Sequence, residues 1–197
     1  MRTWKFILVL ALAAGLASGL AAKPATPQPG QETKKAEAGK SMPGASQIVL
    51  GQWNEIGRKL IAMAEDFPED KYDFKPTPEV RSFAEQMLHV SGSVYYFVNP
   101  AEGKTMPVEN DPPRAKYKTK ADIVAFAKKC VEDGAATIKA KGDKGMNEWI
   151  SDPESKQQMH VSDLAYELIE HSGEHYGQLV MYFRLSGLVP PESRPKK

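Results

Sequence analysis

Apolar residues recur along the chain at helical spacing, and no strand-like alternation is sustained anywhere. Val49, Trp53, Ile56, Leu60 and Ala64 fall on one stripe, which predicts a helix from about Ser46 to Phe67. A second stripe, Phe83, Met87, Val90, Val94 and Phe97, predicts a helix opening at Thr77-Pro78-Glu79 and stopping near Asn99-Pro100. The third helix should start at Thr119, with Asp122 as its capping-box partner and a weaker face of Ile123, Ala127, Cys130, Val131 and Ile138. The fourth runs from Ser162 to Ser186-Gly187, where the glycine suits a left-handed cap and Pro190-Pro191 forbid continuation. Amphipathic helices of this kind must share a core, so the expected fold class is all-α, a four-helix bundle. The second and third helices are joined by residues 100–118, far more chain than a hairpin needs, which points to a long crossover connection.

The N-terminal segment follows a different pattern. Arg2 and Lys5 precede an apolar run from Phe6 to Leu16, and small residues end it at Ala21-Ala22. This is the layout of a secretory signal peptide spanning residues 1–22, so the mature protein is expected to be exported, periplasmic or secreted, with no membrane span once the leader is cut. Residues 23–44 are rich in Lys, Pro, Ala, Thr and Gln, cannot bury enough apolar surface to offset chain entropy, and read as a disordered linker. The bundle domain is expected over residues 45–193, with a basic tail at 194–197.

Composition narrows the chemistry. With 26 Lys+Arg against 25 Asp+Glu there is no basic field for a phosphate backbone, so nucleic acid is not an expected partner. A single Cys can form neither an internal disulfide nor a thiolate metal site, and Cys130, on an apolar face, reads as a small buried hydrophobe. Any metal chemistry must therefore rest on the four histidines and the carboxylates.

His171 and His175 lie four residues apart in the middle of the fourth helix's apolar stripe, among Leu164, Leu168, Leu179 and Tyr182. Rings at this spacing project from one face on successive turns and can converge on one ion. A core histidine can instead be satisfied by a carbonyl or carboxylate, but two at the centre of a buried face favour a ligand pair. His171-Ser172-Gly173-Glu174-His175 also spells the H-x-x-E-H pattern of inverted zinc peptidases. The downstream acid such enzymes use is missing, since Glu192 lies beyond the helix end, so Glu174 reads as a solvated flank residue. No C-x-x-C-H motif supports covalent haem. His89 is the candidate third ligand, yet it sits about 120° from the stripe of its own helix, where a surface histidine is equally natural. His160, in a polar stretch before the fourth helix, reads as a bystander.

The run from Tyr72-Asp73-Phe74-Lys75-Pro76-Thr77-Pro78 to Arg81-Ser82-Phe83, followed by His89, resembles the DinB-like superfamily. So does His171-x-x-x-His175-Tyr176-Gly177-Gln178-Leu179, continuing through Tyr182 to Pro190-Pro191. The likeness extends over residues 48–193, with elements in the same order. It implies a four-helix bundle with a crossover and a divalent metal, commonly nickel or zinc, held by His89, His171 and His175. Relatives of this kind include thiol-dependent transferases and isomerases, and many have no assigned reaction. The resulting expectation is an open three-histidine site serving transferase- or hydrolase-like chemistry on a small molecule. The alternative is a non-catalytic metal-binding or structural bundle. A homodimer is compatible with either.

Overall fold

The computed structural model describes residues 42–106, 111–152 and 155–195. The expected leader and nearly all of the expected linker lie outside the described residues. The helices are α1 (Ala45–Asp66), α2 (Phe83–Gly92), α3 (Val94–Ala101), α4 (Lys120–Met146) and α5 (Val161–Leu185), with two short strands, β1 (Trp149–Ser151) and β2 (Gln158–His160), between α4 and α5. The fold is an all-α bundle. Helix α1 packs on α4 and α5, and the α2–α3 unit packs on the same two helices from the other side. Among the described residues no helix is long and apolar enough to cross a membrane.

The α1–α4 contact is the most extensive in the bundle, and two glycines there remove side chains that would hold the backbones apart. A Cβ on Gly57 would lie 2.5 Å from Val131, and one on Gly134 would lie 2.9 Å from the Trp53 ring. Trp53 fills the space left, wholly buried, and its indole N–H donates to the Val131 carbonyl at 2.9 Å. Gly44 offers no capping side chain to α1, but Asp143 of α4 accepts from the backbone N–H and the hydroxyl of Ser46. Cys130 is buried here, and burial pushes its thiol up to about 12, so it stays an unreactive hydrophobe.

Helix α2 begins later than its periodicity suggests. Thr77-Pro78-Glu79 is a turn, and the helix starts at Phe83 with Ser82 as its cap. Ser82 and Glu85 complete a reciprocal capping box, which Thr77 cannot do because the residue three positions on is Val80. The first N–H groups of α2 donate backwards, Phe83 to Phe74 and Ala84 to Tyr72, so residues 72–74 lie against the helix start. The second predicted helix is also two. It breaks at Gly92-Ser93, where the Ser93 hydroxyl donates to the Val90 carbonyl and bends the chain into α3.

The other ends follow the sequence more closely. Thr119 and Asp122 form the expected capping box of α4. Gly187, at φ +74°, ends α5, with the Leu188 N–H returning to the Phe183 carbonyl. In the connection before α5, Trp149 to Ser151 pairs antiparallel with Gln158 to His160 in a small hairpin. Three residues per strand are too few for an alternation to be legible in sequence. Arg194, at the start of the expected tail, is tied to the bundle through Asp66 and the Val189 carbonyl.

The core has two apolar layers. One gathers Phe67, Tyr72, Phe83, Met87, Leu179 and Phe183, and the other Trp53, Val94, Phe97, Ile138, Leu164 and Leu168. Along α5 the histidine pair lies between Leu168 and Leu179, so the polar site interrupts the core between its layers.

Candidate metal centre

Helix α5 supplies His171 and His175 from successive turns, with their Nε2 atoms 3.0 Å apart and ring centroids 4.3 Å apart. Helix α2 supplies His89, whose ring centroid lies 4.7 Å from that of His175 and 5.3 Å from that of His171. One nitrogen from each ring falls within 4.8 Å of the other two. All three expected residues are therefore brought together. Among the described residues they are the one group of three or more His, Cys, Asp or Glu side chains placed to hold a metal.

The electrostatics favour free bases. Burial, and then the neighbouring His171 and His89 rings, push His175 down to about 4. Burial, with His89 next in size, also lowers His171. Both causes act against the charged form, so at neutral pH these two imidazoles keep a lone pair available. His175 is 6% exposed, whereas the His89 side chain is 16% exposed, so the cluster has a dry side and a side nearer solvent.

Each of two ligand candidates has an outer partner. The Asp111 carboxylate, on the long connection before α4, contacts His89 Nδ1 with one oxygen and receives the Arg81 guanidinium at 3.0 Å on the other. The contacts with His89 and Arg81 keep Asp111 ionised, although burial alone would raise its pKa. Arg81 is itself fixed, since its carbonyl accepts from the Tyr182 hydroxyl. On α2, the amide of Gln86 contacts His175 Nδ1 and donates to Gln178 Oε1 at 2.6 Å. Outer contacts of this kind orient imidazoles and choose the nitrogen each presents.

His89 resolves the ambiguity of its periodicity. Its face is polar because it looks onto α5 at the layer between the two apolar clusters. Glu174 is exposed on the flank of α5 and stands outside the group of ligand atoms. His160 caps α5, with Nδ1 2.9 Å from the Asn147 carbonyl and its ring over Trp149. The sequence reading missed Gln86, Gln178, Arg81 and Asp111. Gln178 is three residues after His175 and Gln86 three before His89, each one turn away, a spacing that could have marked the glutamines. No local signal marks Asp111, which reaches His89 only through the tertiary fold.

Beside the site lies a cleft of about 320 Å³, lined by Lys75, Glu79, Arg81, Glu85, Asp111 and Arg114. It shares Arg81 and Asp111 with the outer contacts of His89. Its walls carry both signs of charge, with Lys75 paired to Glu85 and Arg114 to Asp73.

The chain resembles known proteins in sequence and in fold. A sequence profile of the DinB superfamily matches residues 52–179. Two crystal structures share the fold. A DinB-like protein from Bacillus cereus is 16% identical with a TM-score of 0.61, over 73% of this chain and 93% of that one. A DinB-like protein, YjoA, from Bacillus subtilis is 19% identical with a TM-score of 0.58, over 76% of this chain and 99% of that one. No curated protein matches the sequence. The family match spans most of the bundle and both helices that bring the three histidines together, and the chain belongs to the DinB superfamily.

Proposed function

We propose that this is an exported metalloprotein in which His89, His171 and His175 hold a divalent ion, nickel or zinc, for transferase- or hydrolase-like chemistry on a small molecule. One observation carries the reading: three imidazole nitrogens lie within 4.8 Å of one another in a site that keeps two of the rings neutral. The donor set suits borderline metals, since it is all imidazole nitrogen and burial holds His171 and His175 as free bases. His89, His171 and His175 would hold a divalent ion through three nitrogens, and the ion would supply Lewis acidity to a water or substrate atom bound beside them.

The chain's own residues divide the remaining work. Asp111 and Arg81 orient His89 and also wall the adjoining cleft, so the same pair that positions a ligand faces an incoming molecule. The cleft is at the small end of ligand sites, in keeping with a small substrate. Its mixed charge supports a substrate carrying polar groups of either sign. The pattern of residues 1–22 supports export.

The test starts from chain beginning at Lys23. Metal content by mass spectrometry after purification, and titration with Ni²⁺ and Zn²⁺, should give stoichiometric binding that His171→Ala and His175→Ala abolish. Wild-type protein that stays metal-free after anaerobic purification and reconstitution would overturn the reading. Catalysis is then separated from storage by water exchange at the bound ion. Relaxation measurements on the nickel form should show exchangeable water in a reactive site and none in a closed structural one. N-terminal sequencing of the protein recovered outside the cytoplasm tests cleavage of the leader.

A further inference from the structure

His175 has each ring nitrogen committed. Its Nε2 stands 3.0 Å from Nε2 of His171, and its Nδ1 meets the side-chain amide of Gln86, a residue only 2% exposed. A neutral imidazole carries one N–H, so whatever Gln86 presents at Nδ1 decides whether Nε2 holds a proton or a lone pair. With the NH₂ of Gln86 turned towards the ring, Nδ1 accepts and Nε2 is protonated. A continuous chain results. Gln86 donates to both Gln178 Oε1 and His175 Nδ1, and His175 Nε2–H donates to His171 Nε2. In that arrangement Nε2 of His175 cannot bind a cation.

The reverse arrangement needs little movement. Amide oxygen and nitrogen occupy nearly the same space, and Gln86 faces Gln178 amide to amide. Half-turns of both amides about their terminal bonds preserve the Gln178–Gln86 and Gln86–His175 contacts with the roles exchanged, and only the donation from His175 Nε2 to His171 is given up. Gln178, exposed on α5, then donates to the Gln86 carbonyl, which accepts from His175 Nδ1–H. Nε2 is left with its lone pair directed at the cluster. Because Gln178 is exposed, water can pair its amide in either orientation, while buried Gln86 depends on its two partners.

We propose that Gln86 and Gln178 form a two-state amide relay that sets the tautomer of His175, and that a divalent cation binds by selecting the state in which Gln86 accepts from Nδ1–H. Gln86 is thus a positioning residue, acting on the ion only through His175. The inference rests on the metal reading above, but its first observable does not need the ion.

Long-range ¹H–¹⁵N correlation on histidine-labelled protein reads which ring nitrogen is protonated. The metal-free protein should show His175 as the Nε2–H tautomer, and zinc should convert it to Nδ1–H. Gln86→Glu, which can only accept when ionised, should place the proton on Nδ1 without metal and bind Zn²⁺ at least as tightly as wild type. Gln86→Leu should weaken Zn²⁺ binding roughly 10- to 100-fold in a competition assay with a chromophoric chelator. Circular dichroism checks that both variants keep their helices, and the near-isosteric Glu variant stands as the test if the Leu variant does not fold. Nδ1–H in the metal-free wild type, or wild-type zinc affinity in a folded Gln86→Leu, would overturn the relay. Failure of wild type to bind any zinc sinks the metal reading instead, and leaves the metal-free tautomer to judge Gln86.

Discussion

Helices α2 and α5 meet at two places that solve opposite problems. Towards one end, Phe83 of α2 stacks on Phe67 with ring centroids 3.8 Å apart and meets Phe183 and Tyr182 of α5 edge-on. The polar atoms there are already spent, since Tyr72 donates to the Ala64 carbonyl and Tyr182 to the Arg81 carbonyl. That cluster needs nothing from outside. About two turns further along, His89 of α2 meets His171 and His175 of α5, and their ring nitrogens face each other. Rings of similar size pack in both places, yet only the second leaves directed lone pairs that neighbouring imidazoles cannot all satisfy. The aromatic contact holds the helices together, while the imidazole contact beside it is polar, partly dry and metal-ready.

The largest effect expected from this contrast is at the clamp. Phe83→Ala should cost about 3 to 5 kcal/mol in urea unfolding, as for other large core truncations, while metal affinity of the folded fraction holds. A fall in that affinity under native conditions would show that the two contacts are coupled.

Next in size is a pH effect confined to the imidazole contact. Folded, metal-free His175 titrates near 4, against an ordinary 6.5. An unfolded chain takes up that proton near pH 6.5 and the folded chain does not until about pH 4, so protons favour unfolding across this interval. Stability from keeping His175 neutral is complete above pH 6.5 and drains away as pH falls to about 4, by at most about 3 kcal/mol. Denaturation of metal-free protein across that range should show the loss, and His175→Gln should flatten it. Equal slopes in the two proteins would assign the acid sensitivity elsewhere.

The smallest effect concerns the outer contact of His89. Asp111→Asn keeps the shape but weakens the pull on Nδ1, so zinc affinity should drop about tenfold, near 1.4 kcal/mol, with unfolding midpoint almost unchanged. Loss of stability without loss of affinity would make Asp111 a tether for the connection before α4 and no more.

How far the sequence carried depends on the range of the signal. Helix existence was legible because a stripe such as Val49 to Ala64 is written every three or four residues. The α2 start was misjudged because Thr77-Pro78 carries start signals of its own, and only the fold lays residues 72–74 against Phe83 and leaves Ser82 to cap. His171 and His175 could be paired from spacing, since a helix fixes their relative direction. His89 could not be placed by periodicity, because its partners belong to another helix.

The sequence by itself therefore determined where helices lie, the capping box of α4, the glycine end of α5 and the convergence of two histidines, all consequences of backbone geometry within one turn. Tertiary structure alone decided that α2 and α5 face each other between two apolar layers, that His89 completes the cluster, and that Asp111 and Gln86 reach His89 and His175 from 22 and 89 residues away. The physical reason is that side-chain direction along a helix is a local property. Which nitrogens end up neutral, partnered and within reach of one ion depends on burial and on contacts that only packing creates.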